Sequence, residues 1–327
     1  MRSDSPRGGA QRLETRKKIL IVVASLMAIA LLAGAAIPVY MAQRADYGWN
    51  PAVASPRFSS ARPRVVVDQA HHNASTAAWG NRYWPFARLL RADGYDVREG
   101  ATPMSEESLA GVSVLVIANA SGAPKPQFLG INLPVRTTRH RDDPAFTADE
   151  IVTVTAWVDQ GGSLLLIADH APFGSAAEAM SAAFGVRMGK GFVEVPGEKS
   201  DPLLFSAEDG RLGDHPILTG AAPDAAVRRV MTFTGQSLSG PPGATVLLRL
   251  PESAVEYLPA GPEMRPQPAG GAQAVALTWG KGRVVILGEA AMMTAQVSQG
   301  VPFGMNSPGN DNRQFALNTM HWLSRAL

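Results

Sequence analysis

Residues 147–170 read Thr147-Ala-Asp-Glu-Ile-Val-Thr-Val-Thr-Ala-Trp-Val-Asp-Gln160-Gly-Gly-Ser163-Leu-Leu-Leu-Ile-Ala168-Asp169-His170. Ile151, Val154 and Val158 recur at helical spacing behind Thr147, which is placed to cap the helix, and the paired glycines end it. Ser163–Ala168 is then a continuous apolar run of strand length, the pattern of a strand buried on both faces. A helix feeding such a strand is half of a parallel α/β repeat, and this strand finishes on Asp169-His170. The same pattern occurs where Val65–Val67 runs into Asp68-Gln69-Ala70-His71-His72-Asn73, Leu115–Ala118 into Asn119, and Val284–Leu287 into Gly288-Glu289. As parallel strands these four place their carboxyl ends on one edge, where open α/β sheets hold ligands.

Working outward, Trp84–Ala92 reads as a helix with Pro85 near its start and Gly94 beyond its end. Tyr95–Arg98 and Ser113–Ala118 read as strands, with a short helix around Ser105–Leu109 between them. Ser175–Phe184 is a further helix closed by Gly185. In the carboxyl-terminal third, Val227–Phe233, Ala244–Leu250, Ala272–Thr278 and Arg283–Leu287 are extended, and Trp279-Gly280-Lys281-Gly282 turns the last two into an antiparallel hairpin. Asn312–Leu323 is the final helix, with Asn310 or Asp311 as its cap. The fold class is therefore α/β, a flavodoxin-like three-layer sandwich with a mixed, mostly parallel sheet.

The amino-terminal segment reads differently. No residue from Ile19 to Ala42 is charged, and Arg16-Lys17-Lys18 precedes the apolar run. This predicts a basic tail over residues 1–18, a transmembrane signal anchor over 19–42 and a Pro-containing linker over 43–63, followed by one domain over 64–327. Cleavage at Ala33-Gly34-Ala35 is the alternative. The positive-inside rule then keeps the amino terminus cytoplasmic and sets the domain in the periplasm or another extracytoplasmic space of a bacterial inner membrane, anchored by a single pass. The chain carries a formal net charge of +2, but the tail supplies a basic excess of four, leaving the domain slightly acidic. No basic stripe for nucleic acid is present, so no nucleic-acid partner is expected. The chain has no cysteine, which removes disulfides, thiolate metal sites and a cysteine nucleophile.

The chemistry-bearing residues gather at the strand exits. Asp68, His71, Asp169 and His170 offer carboxylates and imidazoles suited either to a divalent metal such as Zn, Mn or Ca, or to metal-free acid–base work, with Glu289 as a base for water. The structural alternative is that Asp68 and His71 bond loop amides. His72, Asn73, Asn119, His215, Gln236, Ser237, Asn306, Asp311 and Asn312 are the candidate ligand-binding groups around them. His321, well down the last helix, reads as structural. The loops 121–146, with Lys125, Arg136, Arg139 and Arg141, and 193–213 are placed to control access. No phosphate-loop or dinucleotide fingerprint follows a strand, so no nucleotide cofactor is expected.

The order of elements, with His215-Pro216-Ile217 between the halves and a closing Gly280-Lys-Gly-Arg-Val-Val-Ile-Leu-Gly-Glu289 strand, resembles the class-I glutamine-amidotransferase-like superfamily. More narrowly it is similar to uncharacterised bacterial membrane-associated proteins with a divergent version of that domain, over roughly residues 64–325. The resemblance implies a glutamine-amidotransferase-like sandwich whose catalytic members use a cysteine at a sharp strand exit. The comparable exit here is Ile167-Ala168-Asp169-His170, without one. Two functions are then expected: a membrane-anchored, metal-assisted hydrolase of cell-envelope glycan, peptide or amide bonds, or a noncatalytic ligand-binding or scaffold module of an envelope or transport complex.

Overall fold

A computed structural model of the chain describes residues 14, 16–29, 42–128, 131–134, 136–198 and 201–327. Two compact units are distinguished, one comprising Met1–Ala42 with Gln127–Leu133 and the other Gln43–Pro126 with Pro134–Leu327. In the first, residues 16–29 are helical, and the short strands Gln127–Phe128 and Ile131–Asn132 pair antiparallel.

The transmembrane anchor expected over residues 19–42 is corrected. Among the described residues no helix is long and apolar enough to cross a membrane. Residues 1–13, 15 and 30–41, on which parts of the tail and anchor fall, lie outside the described residues. The inner-membrane and periplasmic placement, and the envelope or transport partners inferred from it, lose their basis with the anchor.

The second unit is built on a nine-stranded sheet. Its strands are β1 (Arg64–Asp68), β2 (Asp96–Gly100), β3 (Val114–Ala118), β4 (Ser163–Ile167), β5 (Arg187–Met188), β6 (Leu238–Ser239), β7 (Thr245–Arg249), β8 (Ala272–Trp279) and β9 (Gly282–Leu287). The spatial order is β2-β1-β3-β4-β9-β8-β6-β5, with β7 also on β8. Pairing is parallel from β2 through β9 and antiparallel from β9 onward. The mixed sheet and the β8–β9 hairpin thus follow the sequence pattern.

Helices α1 (Trp84–Ala92), α2 (Ala148–Asp159), α3 (Phe173–Ala183) and α4 (Asn312–Leu323) cover both faces. Because side chains alternate along a strand, Val65, Val67, Val114, Val116, Leu165 and Val285 join Phe86, Leu90, Phe315 and Met320 in one core layer. Leu115, Ile117, Leu164, Leu166, Val284 and Ile286 join Val154, Val158, Ala177 and Met180 in the other. A run that is apolar at every position is what such a double-sided strand requires.

Two local expectations change. Ser105–Leu109 forms turns without becoming a helix. Residues 43–63 do not stand clear of the domain: Arg44–Ala45 pairs with the strand Ala295–Ser298, and Trp49, Val53 and Phe58 pack on the core. Asp311 occupies the α4 cap position but makes no side-chain cap bond. Its Oδ2 instead accepts the amides of Arg228 and Arg229 at 2.8 and 3.0 Å, while Asn310 Oδ1 accepts the Asn312 amide at 2.9 Å.

Candidate functional site

The exit of β1 closes on itself. His71 Nδ1 donates to Asp68 at 3.0 Å to Oδ1 and 2.9 Å to Oδ2, and His71 Nε2 donates to Glu150 Oε1 at 2.8 Å. Two carboxylate partners require a proton on each ring nitrogen, so His71 is an imidazolium held between them. Asn73 Nδ2 and the Ala70 amide also donate to Asp68, at 2.9 and 3.1 Å. Glu150 is the third helical residue of α2, in a capping box with Thr147, and its Oε1 also accepts the Met104 amide at 3.1 Å. Burial opposes the charge on His71, but the bonds and charges of Asp68 and then Glu150 outweigh it and raise the pKa. In Glu150, burial is outweighed by bonds from Thr147 and His71, and the pKa falls. All three side chains are buried, and the network ties the β1 exit to α2. His72, beside it, is exposed in the left-handed region at φ 50°.

The exits of β3, β4 and β9 form a second cluster. Asn119 follows β3 in the left-handed region at φ 51°, and its Oδ1 accepts the Asp169 amide at 2.9 Å. Across β4, the buried Gln236 donates through Nε2 to the carbonyls of Ala168 and Asp169 at 2.8 and 3.1 Å, while its Oε1 accepts the Lys190 amide at 2.8 Å. Side chains from neighbouring segments therefore grip the Asp169 peptide on both sides.

The Asp169 carboxyl is pushed up by burial, against the charge and amide of His170 and the charge of Arg82. Its Oδ1 accepts the His170 amide at 2.8 Å. His170 Nδ1 donates to the Ala171 carbonyl at 2.8 Å, which in the neutral ring leaves the lone pair on Nε2. Among the described residues Nε2 has no hydrogen-bond partner. The ring stacks on Phe192 with centroids 4.4 Å apart. Both Asp169 and His170 are partly exposed.

Glu289 is fully buried below them. Its oxygens accept the amides of Ala291 and Met292 at 2.6 and 2.7 Å, fastening the turn after β9. Burial, then the charge of Asp169, pushes its pKa well up against those two amides. Tyr83 Oη donates to the Ala290 carbonyl at 2.8 Å, and Thr294 Oγ1 donates to the Arg82 carbonyl. Arg82 is thereby moored to the same β9 exit.

The proposed metal ligands fall into these two clusters, Asp68 with His71 and Asp169 with His170. Among the described residues no group of three or more His, Asp or Glu is arranged to hold a metal ion, which corrects the metal-assisted envelope hydrolase. The other candidates serve the framework. Ser237 Oγ donates to the buried Glu256; Asn312 pairs both side-chain atoms with the Met231 backbone at 2.8 and 2.7 Å; Asn306 Nδ2 bonds Asp46 and the Gln296 carbonyl at 2.9 and 2.8 Å. His215 Nδ1 accepts the Ile217 amide at 3.2 Å, and its ring meets Trp322. The Trp322 carbonyl accepts from Arg283 at the start of β9, so His215 sits at the opposite edge of the sheet. His321 bonds the buried Asp93 at 2.6 Å and is structural as expected.

Glu150, Arg82 and Glu256 are absent from the sequence-derived site. The Thr147-x-x-Glu150 spacing signals a capping box, though not its histidine partner; Arg82 carries no local signal. A separate groove of about 520 Å³ runs beside α2, lined by Glu106, Leu109, Val112, Val152, Ala156 and Trp157 among others. None of the expected site residues lines it.

No protein-family model matches the chain, and no curated protein sequence matches it. Among solved structures, the mmIFT52 N-terminal domain superposes with a TM-score of 0.52 at 15% identity, covering 80% of this chain and 97% of that domain. A cytoplasmic protein from Salmonella typhimurium gives 0.44 at 13% identity, with 80% and 98% coverage. A ThuA-like protein from Bacteroides uniformis gives 0.42 at 14% identity, with 85% and 95% coverage. At these identities the likeness concerns the fold alone. The narrower resemblance to membrane-associated amidotransferase-like proteins is therefore corrected to a three-layer α/β sandwich without family assignment.

Proposed function

We propose that the exits of β3, β4 and β9 form an acid–base site for a small polar substrate, with Asp169 and His170 as its working groups. The observation that carries this reading is the pairing of a His170 Nε2 lone pair, left unbonded because Nδ1–H is fixed on a carbonyl, with an adjacent carboxyl whose pKa is raised by burial. Nε2 accepts a proton from the substrate and the Asp169 carboxyl, its pKa raised by burial, returns one. Glu289 and Gln236 hold the backbone beneath them and do not meet the substrate.

The test is incorporation of solvent deuterium into a panel of small oxo and hydroxy acids, followed by NMR. Exchange in the wild type, lost in Asp169→Asn and in His170→Asn while both variants retain the wild-type circular dichroism spectrum, is the expected result. A carbon-13 titration of Asp169 with its midpoint at or below the ordinary aspartate value of about 3.9 overturns the assignment.

A further inference from the structure

Three basic residues near this edge, Arg82, Lys125 and Arg141, stand apart from the ion pairs of the described residues. Arg141 extends its guanidinium over the Phe173 ring, 5.0 Å from the centroid, at the start of α3 and three residues from His170. Its main chain is fixed beside the β3 exit, where its carbonyl accepts the Gly122 amide at 3.0 Å and Ser121 Oγ at 3.2 Å. Its Nε is buried and has no hydrogen-bond partner. The main chain of Arg82 is fixed on the β9 side, where its carbonyl accepts from Thr294 Oγ1. Lys125 stands exposed further along the β3 loop. Among the described residues none of the three makes an ion pair, although the unit pairs other arginines with carboxylates, as Arg211 with Glu198 at 2.5 Å.

The three charges also sense one another. After burial, the nearness of Arg82 lowers the pKa of Arg141, and Arg141 and then Arg82 lower that of Lys125. Asp169 is the one carboxylate whose charge opposes the burial of Arg82. Mutually repelling cations are costly when part-buried and unpaired, and a guanidinium with an idle Nε–H presents a fork suited to a planar or tetrahedral oxyanion.

We propose that Arg82 and Arg141, with Lys125 at the rim, form an oxyanion subsite beside Asp169 and His170, so that the substrate carries a carboxylate or phosphate group. This rests on the acid–base reading for what happens at the other end of the substrate, but the subsite binds its anion whether or not proton transfer follows. The guanidinium of Arg141, part-exposed as a whole, offers its terminal N–H groups to oxygens of the anion; Arg82 adds a second positive charge. Asp169 then sits against the cationic cluster, next to the bond that His170 Nε2 addresses.

The experiment is calorimetric titration of the full chain with inorganic phosphate and, separately, with citrate, at constant ionic strength set by chloride. Saturable binding of at least one is expected, and which one binds separates a phosphate from a carboxylate substrate. Removing a charge-assisted hydrogen bond should weaken it by about tenfold or more in Arg141→Gln and in Arg82→Gln. Arg141→Lys should recover only part, because the fork is lost. Asp169→Asn removes the opposing carboxylate and should leave binding intact or tighter, even though it destroys the proposed acid. Failure of the deuterium exchange with anion binding preserved would therefore refute the acid–base reading alone. Absence of saturable binding of both anions by the wild type, or equal binding by folded Arg141→Gln and Arg82→Gln variants, would overturn the subsite.

Discussion

Replacing Glu150 by alanine isolates the energetic meaning of the network at the β1 exit. Its carboxylate accepts four bonds: His71 Nε2 at 2.8 Å, the Met104 amide at 3.1 Å, the Thr147 amide at 2.9 Å and Thr147 Oγ1 at 2.8 Å. The Thr147 groups lie at a helix terminus and recover water, so losing the capping box costs about 1 kcal/mol. The imidazolium does not recover. It is left buried with one partner where it had two, and breaking such a pair costs about 3–5 kcal/mol, less whatever is relieved when the ring gives up its proton. Before that relief the sum is about 4–6 kcal/mol, a large part of the 5–15 kcal/mol typical of a domain. Glu150→Gln keeps one acceptor oxygen but turns an NH₂ toward partners that are all donors apart from the rotatable Thr147 hydroxyl, and should cost about 1–2 kcal/mol. Urea unfolding followed by tryptophan fluorescence measures both. On a His71→Leu background the Glu150→Ala cost should shrink to about 1–2 kcal/mol, because no charge is then orphaned. A loss below 1 kcal/mol for the single alanine variant, or an undiminished loss in the double mutant, would refute the idea that the carboxylate serves the imidazolium.

Further expectations concern pH and packing. His71 has a raised pKa, so its contribution is full below its usual 6.5 and disappears as pH climbs through the folded value; Glu150 has a lowered pKa, so its contribution is full above its usual 4.5 and disappears as pH falls through its folded value. Stability measured across pH should show a plateau between these limits whose alkaline decline is absent in His71→Leu. Gly174→Ala builds a Cβ 2.2 Å from Gln236 Oε1, and the forced loss of the Gln236 clamp should cost about 2–4 kcal/mol and accelerate amide exchange at Lys190, whose N–H Gln236 Oε1 accepts, measured by NMR. Asn312→Ala removes both bonds to the part-buried Met231 backbone; thermal unfolding should register about 1–3 kcal/mol.

The sheet was legible because a strand buried on both faces has to be apolar at every position, as Leu164–Ile167 and Val284–Leu287 are. The β8–β9 hairpin was legible from Trp279-Gly280-Lys281-Gly282, where Gly280 adopts φ 55°. The site was legible only as a set of strand exits. Sequence placed Asp68 and His71 on the correct edge, but which way an imidazole points depends on Glu150, 79 residues away, and on no local pattern. Arg82 reaches the site through a carbonyl contact with Thr294, equally invisible along the chain. The anchor was inferred from an apolar run behind basic residues, and among the described residues no helix is long and apolar enough to cross a membrane.

The grip of Asn119 and Gln236 on the Asp169 peptide has a consequence for how such a protein diversifies. The Asp169 backbone is held by amide side chains rooted in the sheet and its immediate borders. Loops around such an edge can change in length and charge while the strand exit keeps its coordinates, so what surrounds the edge is free to vary separately from what sets its backbone.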